Sequence, residues 1–177
     1  MKHFLCIAGG IDVIPALREL ALQPELWDQN TLRTKHSNTA HGEVNDIWLW
    51  FNDTSADVVD AIQTHPFPAW QRLPSLRQMV LDLIRRVDGV QLGRVMVTRL
   101  RPGKAITPHV DGGAPATFYT RYQIALQSLP GAVFRCENEE VSFRSGEVWW
   151  VNNRVEHSVV NNSADDRIVC IVDIRSA

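Results

Sequence analysis

The sequence Pro108-His109-Val110-Asp111-Gly112-Gly113 places a histidine and a carboxylate two residues apart. On a strand, side chains two residues apart point to the same face, so both could bind one metal ion from one side. A histidine at the end of the later stretch Asn153-Arg154-Val155-Glu156-His157 would complete a set of three ligands. Two imidazoles and one carboxylate on one face of an octahedron leave three positions open, as in non-haem Fe(II) oxygenases. His109, Asp111 and His157 are therefore the predicted iron ligands.

The surroundings of this motif support the metal site, because a His-x-Asp spacing alone occurs often by chance. Residues 101–103, Arg-Pro-Gly, predict a turn before the first histidine, and residues 146–151 predict a strand before the second. Arg167 then stands at the head of an apolar strand, residues 168–174. A guanidinium group can hold a carboxylate by two parallel hydrogen bonds. We therefore expect Arg167 to pair with the distal carboxylate of 2-oxoglutarate, whose keto acid end would bind the iron.

Several spaced elements between residues 95 and 175 agree, in order, with one known family. In this region the chain resembles the aspartyl/asparaginyl β-hydroxylase branch of the 2-oxoglutarate and Fe(II)-dependent oxygenases, including its small phage and bacterial members. The matching parts are the turn before His109, the Arg121-Tyr122-Gln123 strand, the Gly146 strand, His157-Ser158-Val159-Val160-Asn161, Arg167 and Ile171-Val172-Asp173.

The resemblance implies roles for individual residues. It implies that Arg121, in the middle strand, contacts the keto acid end of the cosubstrate, and that Arg167 is the family's second arginine. It also implies an assisting role for Thr98, the hydroxyl residue one strand before the first histidine. The chain departs from the family pattern at two positions. Asp111 is present where some members lack the carboxylate ligand, and Gln123 stands where a histidine is common, so no cosubstrate role carries over to position 123.

Composition limits the class of protein. The 177 residues are the size of one domain and can bury a core, and 45% hydrophobic with 21% charged residues is typical of a globular protein. The net charge of -2 does not favour a large nucleic-acid surface. Cys6, Cys136 and Cys170 include no CxxC pair, so we expect buried thiols in a reducing compartment. No segment is long enough to span a bilayer, and the short apolar run at the N-terminus predicts a strand; a cytoplasmic enzyme fits these observations.

The spacing of apolar residues predicts the elements of the first half. Residues 11–23 and 73–87 have apolar positions at helical spacing, whereas residues 31–36 and 46–51 predict strands. The polar, proline-containing segment 52–71 predicts either a surface connection or a lid.

Residues 90–177 predict about eight short strands separated by turn residues. Together with two covering helices, they predict a mostly β protein with a double-stranded β-helix, or jelly roll, of the cupin type. We expect a single domain over residues 1–177. In it, residues 1–89 form a helical and strand support region and residues 90–177 form the core jelly roll with the metal site.

Three residues of the first half are candidates for contact with a substrate. Trp48 and Trp50 make the predicted strand 46–51 unusually rich in aromatic residues. Large aromatic side chains usually lie in the core, so burial is favoured for these two and contact with a substrate is the alternative. His41 lies in a polar loop, where a solvated surface position is the alternative to the mouth of a substrate site.

The combined features predict a 2-oxoglutarate- and Fe(II)-dependent dioxygenase that uses O₂ to hydroxylate an unactivated C–H bond and releases succinate and CO₂. The resemblance implies an amino acid side chain of the Asp, Asn or His type as substrate, either in a protein or peptide or as the free amino acid. The same chemistry on a nucleobase or another small molecule is an alternative, although nucleic acid is not favoured by the charge. A non-catalytic cupin-like protein that binds a metal or a small acid is the alternative from another class, and a zinc hydrolase or isomerase fits the ligand set less well.

Overall fold

A computed structural model of the chain describes residues 1–54 and 60–177, and these contain eleven strands and five α-helices. The strands are β1 (Phe4–Ala8), β2 (Val44–Phe51), β3 (His65–Pro66), β4 (Gly89–Leu100), β5 (Lys104–His109), β6 (Thr120–Gln127), β7 (Ala132–Cys136), β8 (Glu139–Val141), β9 (Val148–Val151), β10 (His157–Asn161) and β11 (Arg167–Ser176). The helices are α1 (Ile14–Leu22), α2 (Leu32–Lys35), α3 (Ala69–Arg72), α4 (Pro74–Arg86) and α5 (Gly113–Phe118), and a 3-10 turn covers Pro24–Leu26.

The strands form two antiparallel sheets. The larger sheet has the order β1-β9-β6-β11-β4-β2-β3, and the smaller sheet has the order β5-β10-β7-β8. One hydrophobic cluster joins the two sheets, since Leu100 and Ala125 from the larger sheet pack with Ile106, Phe134 and Val159 from the smaller one. Two facing antiparallel sheets with helices outside them form the predicted mostly β jelly roll, so the predicted fold class is confirmed.

The second hydrophobic cluster lies on the outer face of the larger sheet. Leu76, Val80 and Leu83 of α4 pack there against Val95 and Val97 of β4. Because side chains alternate along a strand, the residues between these valines point to the other sheet. Met96 and Thr98 lie on that inner face, and Arg99 stacks over the Trp27 ring on the opposite side, with 4.3 Å from its guanidinium carbon to the ring centroid.

The first 89 residues are part of the sheet as well as its cover. β1 pairs with β9 at one edge, and β2 pairs with β4 towards the other. The predicted helices at 11–23 and 73–87 correspond to α1 and α4, and α1 packs on α4. The support region, residues 1–89, therefore fixes the position of β4, whose inner face lies beside the predicted metal ligands.

Two local predictions were wrong, and one helix was missed. Residues 31–36 form the helical turn α2, in which Thr31 O accepts hydrogen bonds from Thr34 N and Lys35 N at 3.0 and 2.9 Å. With one apolar residue in six, this segment has no alternating face to bury against a sheet. The short helix α5 was not predicted. Cys136 and Cys170 are buried free thiols, but Cys6 is exposed.

Part of segment 52–71 lies outside the described residues. Its described part contains the short strand β3 and the helix α3, while residues 55–59 are not described, so the lid prediction is untested there. Of the helices that the structure describes, none combines the length and the apolar character needed to cross a lipid bilayer.

Gly146 joins the loop before β9 to the segment before α1. Its φ is +85°, and a Cβ atom added there would lie 2.7 Å from Ile11 O. We expect Gly146→Ala to lower the free energy of unfolding by about 2 kcal/mol or more, because it combines a strained backbone with a steric clash. Gly103→Ala is the matched control, since Gly103 has φ +75° and nothing within 4 Å of such a Cβ. Urea denaturation measures both variants, and equal losses would show that the clash contributes nothing.

Candidate active site

The two predicted histidine ligands face each other across two strands of the smaller sheet. His109 ends β5, His157 begins β10, and the two are paired residues in the register of these strands. Their ring centroids lie 4.3 Å apart. Asp111 follows two residues after His109, and one ligand atom from each of the three side chains lies within 4.8 Å of the others. The structure therefore brings the predicted triad together.

Each imidazole is oriented by its own backbone. His109 Nδ1 lies 2.8 Å from Thr107 O, and His157 Nδ1 lies 2.9 Å from Val155 O. A ring nitrogen that donates to a carbonyl carries the proton, so Nε2 of each ring is left as the free lone pair. Burial lowers the pKa of His157, which also favours the neutral form that binds metals. Both histidines are thus prepared as Nε2 ligands.

Asp111 presents its two carboxylate oxygens to different partners. Oδ1 lies 3.5 Å from His109 Nε2 and 3.9 Å from His157 Nε2. Oδ2 accepts hydrogen bonds from Arg121 Nη1 and from Asn153 Nδ2, the latter at 2.9 Å. Burial opposes ionisation of this carboxyl group, but the Arg121 guanidinium and the neighbouring imidazoles outweigh burial and hold its pKa well below the ordinary value. Asp111 is therefore ionised, as a metal ligand has to be.

The three donor atoms fit a divalent transition-metal ion. Adjacent ligands about 2.1 Å from an octahedral ion stand about 3 Å apart. The two carboxylate–imidazole separations, 3.5 and 3.9 Å, require shifts of less than about 1 Å, and the whole set of donor atoms lies within 4.8 Å of one another. Two imidazole nitrogens and one carboxylate oxygen on one side form the facial donor set that suits Fe(II).

Arg121 lies next to the triad and is held by two carboxylates. Its Nε and Nη2 donate to the two oxygens of Asp173 at 2.8 Å each, and its Nη1 donates to Asp111. Burial disfavours the charge on Arg121, but the Asp173 and Asp111 carboxylates outweigh that effect and raise its pKa. All three guanidinium nitrogens thus contact protein carboxylates. The contact of Arg121 with the cosubstrate stays a prediction.

Arg167 is a buried cation with no carboxylate partner among the described residues. It begins β11 and is 3% exposed, and burial lowers its pKa to about 10. Its Nη2 donates to Gln123 Oε1 at 3.2 Å, and its guanidinium carbon lies 5.8 and 5.5 Å from the ring centroids of Phe134 and Phe143. A buried charge without a counter-ion is costly, and a bound anion would supply the missing counter-charge.

A cavity of about 460 Å³ connects the triad to Arg167. The larger sheet contributes β4, β6 and β11 to its lining, and the smaller sheet contributes β5, β7 and β10. Thr98 lines it and is 1% exposed, but its hydroxyl is hydrogen bonded to Asp46 at 3.2 Å and accepts from Arg33 at 3.3 Å. The structure thus places Thr98 in the same cavity as Arg167 and the triad.

The predicted substrate-contact residues separate into two groups. His41 lines the cavity, with its ring edge-on to His109 at 4.6 Å between centroids, and burial with the nearby Arg33 charge lowers its pKa to about 2. Trp48 stacks on Phe51 with 3.8 Å between ring centroids, and Trp50 donates to Thr64 at 2.8 Å. Neither tryptophan is among the described residues that line the cavity.

Sequence reasoning missed three residues that support the site. Asn153 donates to Asp111, Gln123 accepts from Arg167, and Arg33 forms a two-bond pair with buried Asp46 at 2.9 and 2.7 Å beside Thr98. Gln123 had a signal, because strand alternation places it on the same face as Arg121. The other two come from a bend and from a segment predicted as a strand, so no periodic pattern marked them.

The fold is shared with solved oxygenase structures. The chain superposes with a non-haem α-ketoglutarate-dependent epimerase, SnoN from nogalamycin biosynthesis, at a TM-score of 0.65 and 14% identity over 99% of this chain and 78% of that one. It superposes with a Trichoplax adhaerens prolyl hydroxylase solved with a hypoxia inducible factor peptide fragment at a TM-score of 0.63 and 13% identity, over 99% of this chain and 84% of that one. With a Pseudomonas putida prolyl-4-hydroxylase the TM-score is 0.57 and the identity 16%, over 99% of this chain and 94% of that one. At these identities, the matches show a common fold.

The chain combines a jelly roll with a triad of His-x-Asp and a distant histidine, and a buried arginine faces that triad across the cavity. This combination is that of the 2-oxoglutarate and Fe(II)-dependent oxygenases. Residues 18–177 match the family model described as aspartyl/asparaginyl beta-hydroxylase, and the chain belongs to that family. It is therefore a 2-oxoglutarate-dependent hydroxylase, with Fe(II) and 2-oxoglutarate as its cofactors and the triad as the group that can hold the metal.

Proposed function

We propose that the protein hydroxylates an unactivated C–H bond of an amino acid side chain, peptidyl or free, and releases succinate and CO₂. The observation that carries the 2-oxoglutarate chemistry is the buried Arg167, which faces the same cavity as the triad. Membership of the aspartyl/asparaginyl beta-hydroxylase family supports an amino acid side chain as the substrate. Bound Fe(II) and 2-oxoglutarate would supply the activation of O₂ that C–H hydroxylation needs. The protein itself has to hold these reactants in position and keep water away from them.

Different residues of the cavity would bind the metal and the cosubstrate. Nε2 of His109 and of His157 and Oδ1 of Asp111 would hold the metal, and Arg167 would hold the distal carboxylate of 2-oxoglutarate by two parallel hydrogen bonds. Gln123 already fixes one Nη of Arg167, which reduces the rotational freedom that the arginine loses on binding. Thr98, in the same cavity, is the proposed assisting hydroxyl group.

The apolar part of the lining excludes water near the cosubstrate. Phe134, Val159 and Ile106 from the smaller sheet line the cavity together with Val169 of the larger sheet. A wall of this kind strengthens the electrostatic pairing of Arg167 with a carboxylate, because it lowers the local dielectric constant. His41, beside His109, is the proposed contact for the substrate. Residues 1–177 are one domain in this proposal, because β1 and β2 from the first half of the chain are strands of the larger sheet.

The first test measures cofactor binding without substrate. Anaerobic titration of the Fe(II)-loaded protein with 2-oxoglutarate should produce the weak visible charge-transfer band of the iron chelate. The same titration of His157→Ala should produce no band. Absence of the band in the wild-type protein, with iron bound, would favour a binding protein without turnover.

The second test addresses the substrate. The protein is incubated with Fe(II), 2-oxoglutarate, ascorbate and O₂ together with free amino acids, short peptides that contain Asp, Asn or His, and nucleosides as the comparison group. We expect succinate release to rise with one amino acid or peptide, accompanied by a product 16 Da heavier in mass spectrometry. A response confined to the nucleosides would contradict the proposed substrate class and leave the oxygenase chemistry standing.

A further inference from the structure

We propose that Arg121 and Asn153 clamp one oxygen of Asp111, so that Asp111 binds the metal through its other oxygen alone. This inference rests on the metal site of the proposed function, and it assigns Arg121 and Asn153 as positioning residues for a ligand. It differs from the role that the family resemblance implies for Arg121, which is contact with the keto acid end of the cosubstrate.

The clamp has two side-chain donors and one backbone contact. Arg121 Nη1 and Asn153 Nδ2 both donate to Asp111 Oδ2, and Asp111 N donates to Asn153 O at 3.2 Å. Oδ1 is left facing Nε2 of the two histidines. The carboxylate therefore cannot rotate to exchange its oxygens without breaking two hydrogen bonds, one of them to a charged donor.

Asp173 fixes the arginine from the other side. Arg121 on β6 and Asp173 on β11 are paired residues in the strand register, and their side chains form two parallel hydrogen bonds of 2.8 Å. Asp173 is 3% exposed and is not among the described residues that line the cavity. This pairing directs the remaining nitrogen, Nη1, towards Asp111. The clamp is thus built on two central strands of the larger sheet.

The clamp matters because an octahedral ion has six positions. Three single-atom ligands leave three positions, which are enough for a chelating keto acid and one O₂ molecule. A carboxylate that bound through both oxygens would take a fourth position. The metal could then hold the keto acid but would have no place for O₂. Holding Oδ2 away from the metal therefore keeps the third position open.

Metal affinity tests the clamp separately from turnover. The metal-free protein is titrated anaerobically with Co(II), a probe that resists oxidation, and binding is measured by calorimetry and by the visible Co(II) spectrum. We expect Asn153→Ala and Arg121→Lys to weaken Co(II) binding about 10- to 100-fold and to alter the spectrum. Lysine keeps the charge but cannot supply the two parallel hydrogen bonds to Asp173 that direct the third donor towards Asp111. At saturating metal, the KM for 2-oxoglutarate should stay within about threefold of wild type.

Asn152→Ala is the matched control in the same bend. Asn152 bonds to His3 Nδ1 and to Arg154 N but not to Asp111, so its loss should leave Co(II) affinity and the Co(II) spectrum unchanged. Thermal unfolding of each metal-free variant shows whether it is folded. If Arg121→Lys does not fold, Asn153→Ala alone tests the clamp.

The outcomes separate the clamp from the proposed function. If Arg121→Lys raises the KM for 2-oxoglutarate strongly while Co(II) binding is unchanged, the arginine acts on the cosubstrate and the clamp is refuted. Wild-type Co(II) affinity and spectrum in Asn153→Ala would also refute it, whereas the oxygenase function would stand. Failure of the wild-type protein to bind Co(II) would remove the metal site and both proposals with it.

Discussion

His109→Ala abolishes turnover, with an expected fall in the rate of succinate formation of at least about 1,000-fold, or about 4 kcal/mol of transition-state stabilisation. The substitution removes one of three predicted metal ligands, and the described residues contain no other group of three such side chains close enough together to hold a metal ion. The fold should survive, because His109 is partly exposed at the end of β5 and belongs to no hydrophobic cluster of the described residues.

The measurement is succinate formation at saturating 2-oxoglutarate, together with thermal unfolding of the metal-free protein. His65→Ala is the control, since His65 is an exposed histidine that stacks on Phe67 and does not line the cavity. It should keep the wild-type rate. Full activity in His109→Ala would remove this residue from the metal centre.

Arg167→Met should separate binding of the cosubstrate from stability of the fold. We expect the KM for 2-oxoglutarate to rise by about 30-fold to several thousand-fold, because loss of one partner of a buried charged pair costs about 2–5 kcal/mol. Without 2-oxoglutarate the variant should be at least as stable as wild type. Methionine removes a buried cation that has no carboxylate partner among the described residues, so we expect the free energy of unfolding to rise by about 1–2 kcal/mol.

Two experiments measure these effects, namely the dependence of succinate formation on 2-oxoglutarate and urea denaturation of the metal-free protein. Arg99→Met is the matched control, because Arg99 lies one residue from Thr98 on the opposite face of β4 and stacks on Trp27. Its KM for 2-oxoglutarate should equal that of wild type. An unchanged KM in Arg167→Met would place the cosubstrate carboxylate elsewhere, and a clear loss of stability would mean that Arg167 has a structural partner.

Part of the site could be predicted because some of its residues lie in short local patterns. His109 and Asp111 are two residues apart, and Arg167 heads a continuous apolar strand. The helix α4 was predicted for a similar reason, since its apolar residues repeat at three and four positions and bury one face.

The supports of the site could not be predicted because they depend on register between distant strands. Asp173 meets Arg121 only when β11 lies beside β6 with the observed pairing, over a sequence separation of 52 residues. Asn153 contacts Asp111 because the bend between β9 and β10 brings it next to the segment that follows β5. The turn α2 was missed because its role is to bring Arg33 to Asp46, a tertiary contact that overrides weak local preferences.

The two sheets carry different halves of the site, since His109 and His157 belong to the smaller sheet and Arg167 to the larger. Packed sheets hold a nearly constant separation of about 10 Å, and their interiors resist compression. On the proposed binding mode, that separation fixes the distance between the metal and the guanidinium group. In that binding mode the thickness of the hydrophobic core would favour one chain length of keto diacid, and we expect homologues one carbon shorter or longer to bind less tightly than 2-oxoglutarate.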